Sequence, residues 1–420
     1  MITLKHEEII IENESKTWLT RNILLLGLVS FFADLSGEMM TPVLPLFIIA
    51  VGGTEAAVGF IGGLGDAVAN FMKVLSGYIS DRIGRRRDLI LVGYGIPFFA
   101  KLGIGLSNTW EQVTVLKPTE RLGKGIRGAP RDSLLDDSSP HELRGKVFGF
   151  HRTMDTAGAV LGSFGAILLV LLFFESELET LKLIIIIAAF ISLLAVIPIL
   201  LIQEPKQALI HERRKTSLMQ NLKDLPPAYY RLLFTSTIFS LANFTILLFV
   251  LASKNVIPAD ESEQFKVIIP IAFFVLFSLV YTILSIPFGT WSDRVGRKLV
   301  YGIGMIIFIL TCIGFIVADE LWMLIVAFVL YGAFNAATDG IQKAYTVDVV
   351  PPELKGTGLG LLQTVTGFAG IIAGIIAGFL MAENMDLPFI YGGIMAAIAL
   401  VILLALRINL WEEQSSLAHN

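Results

Sequence analysis

Apolar runs long enough to cross a bilayer as helices recur near residues 22–49, 57–80, 88–106, 112–134, 146–172 and 181–202. A second set follows near 229–253, 267–289, 299–316, 321–345, 357–380 and 388–409. The two sets are related in detail. Gly77-Tyr78-Ile79-Ser80-Asp81-Arg82-Ile83-Gly84-Arg85-Arg86 recurs as Gly289-Thr290-Trp291-Ser292-Asp293-Arg294-Val295-Gly296-Arg297-Lys298, an offset of 212 residues. Pro140-His141-Glu142-Leu143-Arg144-Gly145 answers Pro351-Pro352-Glu353-Leu354-Lys355-Gly356 to within one residue of that offset. The fourth run is rich in charge and weak by hydropathy. The repeat nevertheless requires it, because its partner, Leu321 to Tyr345, begins apolar and turns polar at the same place. The pattern predicts an all-α integral membrane protein of twelve transmembrane helices in two six-helix pseudo-symmetric bundles, and such internal duplication is typical of transporters.

Basic residues assign the sides. The loops after the second, fourth, sixth, eighth and tenth runs hold Arg82, Arg85, Arg86, Arg87, Arg144, Lys146, Arg213, Arg214, Arg294, Arg297, Lys298 and Lys355, among others. The opposite loops hold Lys254 and Lys266, with Lys182 opening the sixth run, beside acids such as Glu175, Glu177, Asp260 and Glu261. The positive-inside rule then places both termini in the cytoplasm. The expected division is a cytoplasmic tail 1–20, an N-terminal bundle 21–202, a charged linker 203–228, a C-terminal bundle 229–409 and a tail 410–420. Residues 1–19 lack a basic start followed by an apolar core, so the first run reads as a retained helix rather than a signal peptide.

Composition sharpens the class. Of 420 residues, 55% are hydrophobic and 16% charged, against about 25% charged in soluble domains. Net charge is -4, which gives no reason to expect nucleic acid. The one cysteine, Cys312, leaves no pair for an internal disulfide and reads as a small buried hydrophobe. Histidines stand scattered at 6, 141, 151, 211 and 419, without metal-ligand spacing. Gly123-Lys124-Gly125 lacks the spacing of a phosphate loop. An enzyme is not expected, and neither is a cofactor or metal.

The doubled Gly-x3-Asp-Arg-x-Gly-Arg-Arg loop and the six-plus-six repeat resemble the major facilitator superfamily over residues 20 to 410. Three weaker motifs are similar to those of its drug/proton antiporter branch. They are Pro42-Val43-Leu44-Pro45 at the end of the first run, Arg121-Leu122-Gly123-Lys124-Gly125 in the fourth, with Lys124 where the pattern has Gln, and Gly158-x3-Gly162 in the fifth. Ser163 stands where that last pattern has Pro. The string from Gly123 to Asp132, with Phe150-His151-Arg152-Thr153-Met154-Asp155, looks like a prokaryotic subgroup of the superfamily. The resemblance implies a monomer in the cytoplasmic (inner) membrane that moves a small molecule by alternating access. It also implies that Gly77, Asp81, Arg82, Gly84 and Arg85, with Asp293, Arg294 and Arg297 of the second copy, set a cytoplasmic gate. A plain cytoplasmic anchor is the alternative.

Charges inside apolar runs each cost about 2.5–3.5 kcal/mol on insertion scales, and so ask for a partner, a cavity or a function. Asp34 and Glu38 share a helical face, Asp66 lies in the second run, and Arg121, Lys124, Arg127 and Arg131 lie in the fourth. These acids and bases either pair permanently or exchange an arginine for a proton during transport. Asp34, Glu38, Asp66, Arg121, Lys124 and Arg127 are the candidates for proton coupling or substrate contact. Arg131, Asp132, Arg152 and Asp155, with His151 beside them, are assigned to the gate. The C-terminal half is quieter, and Phe239, Phe244, Phe273 and Phe274 either line the substrate site or pack. Proton-coupled efflux of a small organic molecule is the leading expectation. The alternatives are proton-driven uptake of a metal chelate, nutrient or organic anion, and a receptor that transports nothing.

Overall fold

The computed structural model describes residues 19–83, 86–139, 144–203 and 222–406, apart from the side chains of 77, 78, 80–83, 144, 145 and 353. Residues 1–18 of the N-terminal tail, most of the linker (204–221), the end of the C-terminal bundle with its tail (407–420) and the loop residues 84, 85 and 140–143 lie outside the described residues.

Fifteen α-helices form among the described residues. The first half holds α1 (Arg21–Met40), α2 (Leu44–Ala50), α3 (Glu55–Ile83), α4 (Arg86–Gly105), α5 (Trp110–Asp137), α6 (Arg144–Phe173), α7 (Glu177–Leu194) and α8 (Val196–Leu201). The second holds α9 (Pro227–Ala242), α10 (Ile246–Ser253), α11 (Glu263–Val295), α12 (Arg297–Ile316), α13 (Leu321–Val349), α14 (Lys355–Glu383) and α15 (Leu387–Ala405). Among the described residues, eleven segments are long and apolar enough to cross a membrane. The 28-residue α5 is not among them, because its charges lower its hydropathy.

Three runs that read as continuous are broken. The first stops at Met40 and resumes at Leu44, where Pro42 and Pro45 remove backbone donors. The seventh breaks at Asn243, Phe244 and Thr245, and the Thr245 side chain caps α10 by accepting from Leu247 N. The sixth breaks at Ala195.

The same helix pairings recur in each half. α5 packs between α3 and α4, and α13 between α11 and α12; α4 meets α7 as α12 meets α15. α1 packs on α6 and α7, as α9 packs on α14 and α15. The halves meet through α3 with α14 and α6 with α11, a pair of contacts related by the same exchange. Small residues make this seam close: a Cβ on Gly59 of α3 would lie 2.0 Å from the Gly374 carbonyl oxygen of α14. Without a hydrophobic drive between helices in lipid, such close backbone approach supplies the contact energy. At one end Lys254 Nζ reaches Glu177 Oε1 at 2.5 Å, and Gln264 Nε2 donates to the Val170 carbonyl at 3.0 Å, joining the halves again.

Candidate functional site

The first half contains a narrow polar slot of about 10 Å³ between α1, α4 and α5. Asp34 and Glu38 of α1 lie on one side, Lys101 of α4 on another, and Lys117, Glu120, Arg121, Lys124 and Arg127 of α5 along the third. The approach of α6 to α1 helps to place the acids. A Cβ on Gly158 would sit 2.2 Å from Phe31 O, and one on Gly162 2.2 Å from Leu35 O, so only glycine permits this contact. Next to them, Ser163 Oγ donates to the Glu38 carbonyl at 3.1 Å.

Only some of these charges are paired. Lys117 Nζ donates to Glu120 Oε2 at 2.9 Å, and both side chains are nearly fully buried. Arg121 lies 3.7 Å from Glu120 and 3.6 Å from Asp66 Oδ1, linking α5 to α3. Arg127 rests over the Tyr94 ring, 4.0 Å from its centroid, a cation–π contact. Lys101 Nζ donates to Ser36 Oγ at 2.6 Å, and Ser36 Oγ donates on to the Ala188 carbonyl at 2.5 Å. Among the described residues, no ion pair within 4.0 Å involves Asp34, Glu38, Lys101, Lys124 or Arg127. The slot holds opposite charges apart.

Lys101, Lys117 and Glu120 were not among the sequence candidates. A lysine four residues from the end of α4 reads as one that snorkels to the interface, yet Lys101 is only 2% exposed. The sole cation in the apolar stretch of that run was the available signal.

A second network lies beside the slot. Arg131 Nη1 donates to Ser30 Oγ at 2.9 Å, which leaves the hydroxyl proton for His151 Nε2 at 2.7 Å. His151 Nδ1 then faces Asp155 Oδ2 at 3.5 Å, while Arg131 also holds Asp132 at 3.0 Å. The Ser–His–Asp order is no hydrolase triad, since Ser30 is fully buried and its oxygen already accepts from Arg131. This network ties α1, α5 and α6 together. Arg152, next to His151 and exposed, acts both on that histidine and on the Tyr281–Asp339 pair of the other half. Tyr281 donates to Asp339 at 3.0 Å and Lys343 to the same carboxylate at 2.7 Å.

The two loop motifs differ in what can be described. Gly77, Asp81 and Arg82 fall on the last turns of α3 with no side-chain description, and Gly84 and Arg85 lie outside the described residues. In the second copy Arg294 closes α11, Gly296 turns the chain with φ +98°, and Arg297 pairs with Asp293 at 2.5 Å and with Asp348 at 3.2 Å. Arg86 makes the matching bond to Asp137. Phe239, Phe244, Phe273 and Phe274 are all buried in the second half. Phe239 meets Tyr301, Phe308 and Phe334, Phe244 stacks on Phe249, Phe273 stacks on Phe328, and Phe274 contacts Phe277.

Comparison with known proteins agrees with this architecture. Residues 26–257 and 233–417 match the Major Facilitator Superfamily. An uncharacterized MFS-type transporter of Methanocaldococcus jannaschii is 38% identical over 392 residues, covering 93% of this chain and 96% of its own. The crystal structure of the nucleoside transporter NupG superposes with a TM-score of 0.72 at 17% identity, over 92% of this chain and 98% of that one. A bacterial homolog of the human lysosomal transporter Spinster, in an inward-facing and unoccupied conformation, gives 0.70 at 15% identity, over 93% and 95%. The chain is a multi-pass membrane transporter, not an enzyme, and belongs to the Major Facilitator Superfamily.

Proposed function

We propose that this transporter is proton-coupled and that the exchangeable carboxylates are Asp34 and Glu38. The observation that carries this reading is the slot itself, in which both acids face Lys101, Lys124 and Arg127 without closing an ion pair. A carboxylate that borrows a cation in one state and a proton in another must stand near cations without being locked to them. Asp66, held near Arg121 but largely exposed, is a third candidate.

The proposed frame is twelve passes, with α5 as the charged fourth. Bundles 21–202 and 229–409 rock about the α3–α14 and α6–α11 seams, and linker and termini are cytoplasmic. The protein acts as a monomer in the cytoplasmic membrane of a prokaryote. The Lys254–Glu177 and Gln264–Val170 contacts join the halves at the end opposite the basic loops. Asp66, Lys73 and Lys124 are exposed, and we read the state as open toward the cytoplasm. Arg131, Asp132 and Arg152 then line its inner half, with Asp155 buried 4.0 Å from Arg131. Asp293, Arg294 and Arg297 form the cytoplasmic gate, to which the repeat also assigns Gly77, Asp81, Arg82, Gly84 and Arg85.

Export of a small organic molecule is supported by the likeness of Pro42–Pro45, Arg121 and Gly158–Gly162 to the drug/proton antiporter branch. A second reading, proton-driven uptake of an anion, is favoured by the excess of cations along the slot. The test is a pH-sensitive dye trapped in proteoliposomes while cationic drugs, sugars, organic acids and metal chelates are added under an imposed gradient. Solute-dependent proton movement that disappears in Asp34→Asn or Glu38→Gln is expected. Coupled flux unchanged in both variants and in Asp66→Asn would sink the assignment, and labelled flux reads the direction.

A further inference from the structure

We infer that the slot is a binding site for a compact oxyanion group, and that proton binding at Asp34 or Glu38 strengthens the binding of that anion. The second half of this inference rests on the proton-coupling reading above; the first does not.

Five cations line the slot (Lys101, Lys117, Arg121, Lys124 and Arg127) against three carboxylates (Asp34, Glu38 and Glu120). Glu120 is already held by Lys117 at 2.9 Å and Arg121 at 3.7 Å. Lys101 is the telling residue. It is 2% exposed, its ammonium carries three donors, and Ser36 Oγ takes one of them. A buried cation without a counter-ion costs several kcal/mol, and an apolar residue of similar volume would be cheaper. An oxyanion supplies the missing acceptors and the missing charge together. The free space of about 10 Å³ has room for about one water, so a single oxygen of a carboxylate or phosphate head enters it, in place of that water, while the rest of the group lies toward the exposed Lys124. Lys124, exposed where Lys101 is buried, offers the first contact on entry.

The sign of the coupling follows from competition. Asp34 and Glu38 and the incoming anion all seek Lys101, Lys124 and Arg127. When a proton from bulk water settles on either carboxylate oxygen, one competitor is neutralised and the cations turn to the anion. By linkage, the anion raises proton affinity by the same factor. The other charges around Asp34 and Glu38 have partners of their own, although Asp155 also faces Asp34 as a like charge and Arg131 faces it as an opposite one. From α5, Arg131 is held by Ser30 and Asp132, and Lys117 and Arg121 by Glu120. From α6, Asp155 faces His151 at 3.5 Å and Arg131 at 4.0 Å; from α3, Asp66 faces Arg121. Proton and anion therefore bind together, which is the coupling of a symporter and favours the second reading above, proton-driven anion uptake, over export by antiport.

The full-length protein in detergent can be titrated with benzoate, succinate and inorganic phosphate, and with tetraphenylphosphonium and glucose as opposites. Thermal stabilisation and proton uptake from weakly buffered solution are the readouts. At least one anion should bind, more tightly as pH falls, with protons taken up. Lys101→Gln and Lys124→Gln should each weaken that binding at least about tenfold. Lys101→Gln without ligand should melt above the wild type, since it removes an unpaired buried charge. Failure of all three anions to bind overturns the site, and anion binding with proton release or no proton change overturns the linkage. Proton movement driven only by tetraphenylphosphonium or glucose, and lost in Asp34→Asn, would overturn the anion site while leaving the coupling reading intact.

Discussion

Ser163 Oγ donates to the Glu38 carbonyl at 3.1 Å, across the α1–α6 contact, and shares that proton with the Ala159 carbonyl of its own helix at 3.2 Å. In an unbroken helix the Glu38 carbonyl would accept from the amide four residues on, but residue 42 is proline and has no N–H. A hydroxyl from a neighbouring helix takes its place. The serine that departs from the antiporter pattern thus has a local physical reason in this chain.

Ser163→Ala should leave a buried carbonyl unsatisfied and lower stability by about 1–3 kcal/mol. In a Pro42→Ala background the backbone donor returns, and the same change should cost under about 0.5 kcal/mol. Thermal unfolding of the four proteins in one detergent measures the difference. Equal costs in the two backgrounds would show that the serine does not serve that carbonyl.

Glu120 is the buried counter-ion of Lys117 at 2.9 Å and, with Asp66, also faces Arg121, at 3.7 Å. Removing one partner of a buried pair strands the other, so Glu120→Gln should destabilise by about 3–5 kcal/mol. Glu120→Gln with Lys117→Met should recover much of that loss. Asp66→Asn, at a carboxylate 56% exposed, should cost no more than about 1 kcal/mol. A melting series that ranked Asp66→Asn above Glu120→Gln would reverse this account of the network.

These residues also mark how far the chain could be read unaided. Apolar runs reveal helices because a membrane forces backbone hydrogen bonds inside each segment. The breaks at Thr41–Val43 and Asn243–Thr245 stayed hidden, because three residues that include a threonine, a proline or an asparagine do not interrupt a long apolar run in hydropathy. Asp34, Glu38, Arg121, Lys124 and Arg127 were legible as site candidates because charge in such a run is expensive. Which of them touch was not, since Lys101 and Glu120 reach the slot through helix packing between α4 and α5 that no local pattern encodes.

The α3–α14 seam is sensitive to single methyl groups at some glycines and indifferent at others. A Cβ on Gly59 would fall 2.0 Å from Gly374 O, a backbone atom that cannot rotate away. Gly59→Ala should therefore force the helices apart, cost about 1–3 kcal/mol or more and slow transport. Gly370→Ala on the partner helix meets nothing within 4 Å and should be neutral or mildly stabilising through helix propensity. Melting temperature and initial transport rate for the two variants decide it, and matched behaviour would argue against a tight seam.

Arg297 with Asp348, and Arg86 with Asp137, each join the start of one helix to the end of the next within the same half. The sequence reading placed Arg297 in a gate. A pair that stays within one half has no need to open when the halves rock, whereas Lys254 and Glu177 belong to different halves and must separate if they do. In a chain with Cys312→Ser, cysteines at 297 and 348 joined by a short bifunctional thiol reagent should leave transport running. Cysteines at 177 and 254 joined by the same reagent should stop it, and reversal of the cross-link should restore it. Arrest by the 297–348 link would mean that the clasp opens during the cycle, and the gate assignment would then hold in place of the anchor.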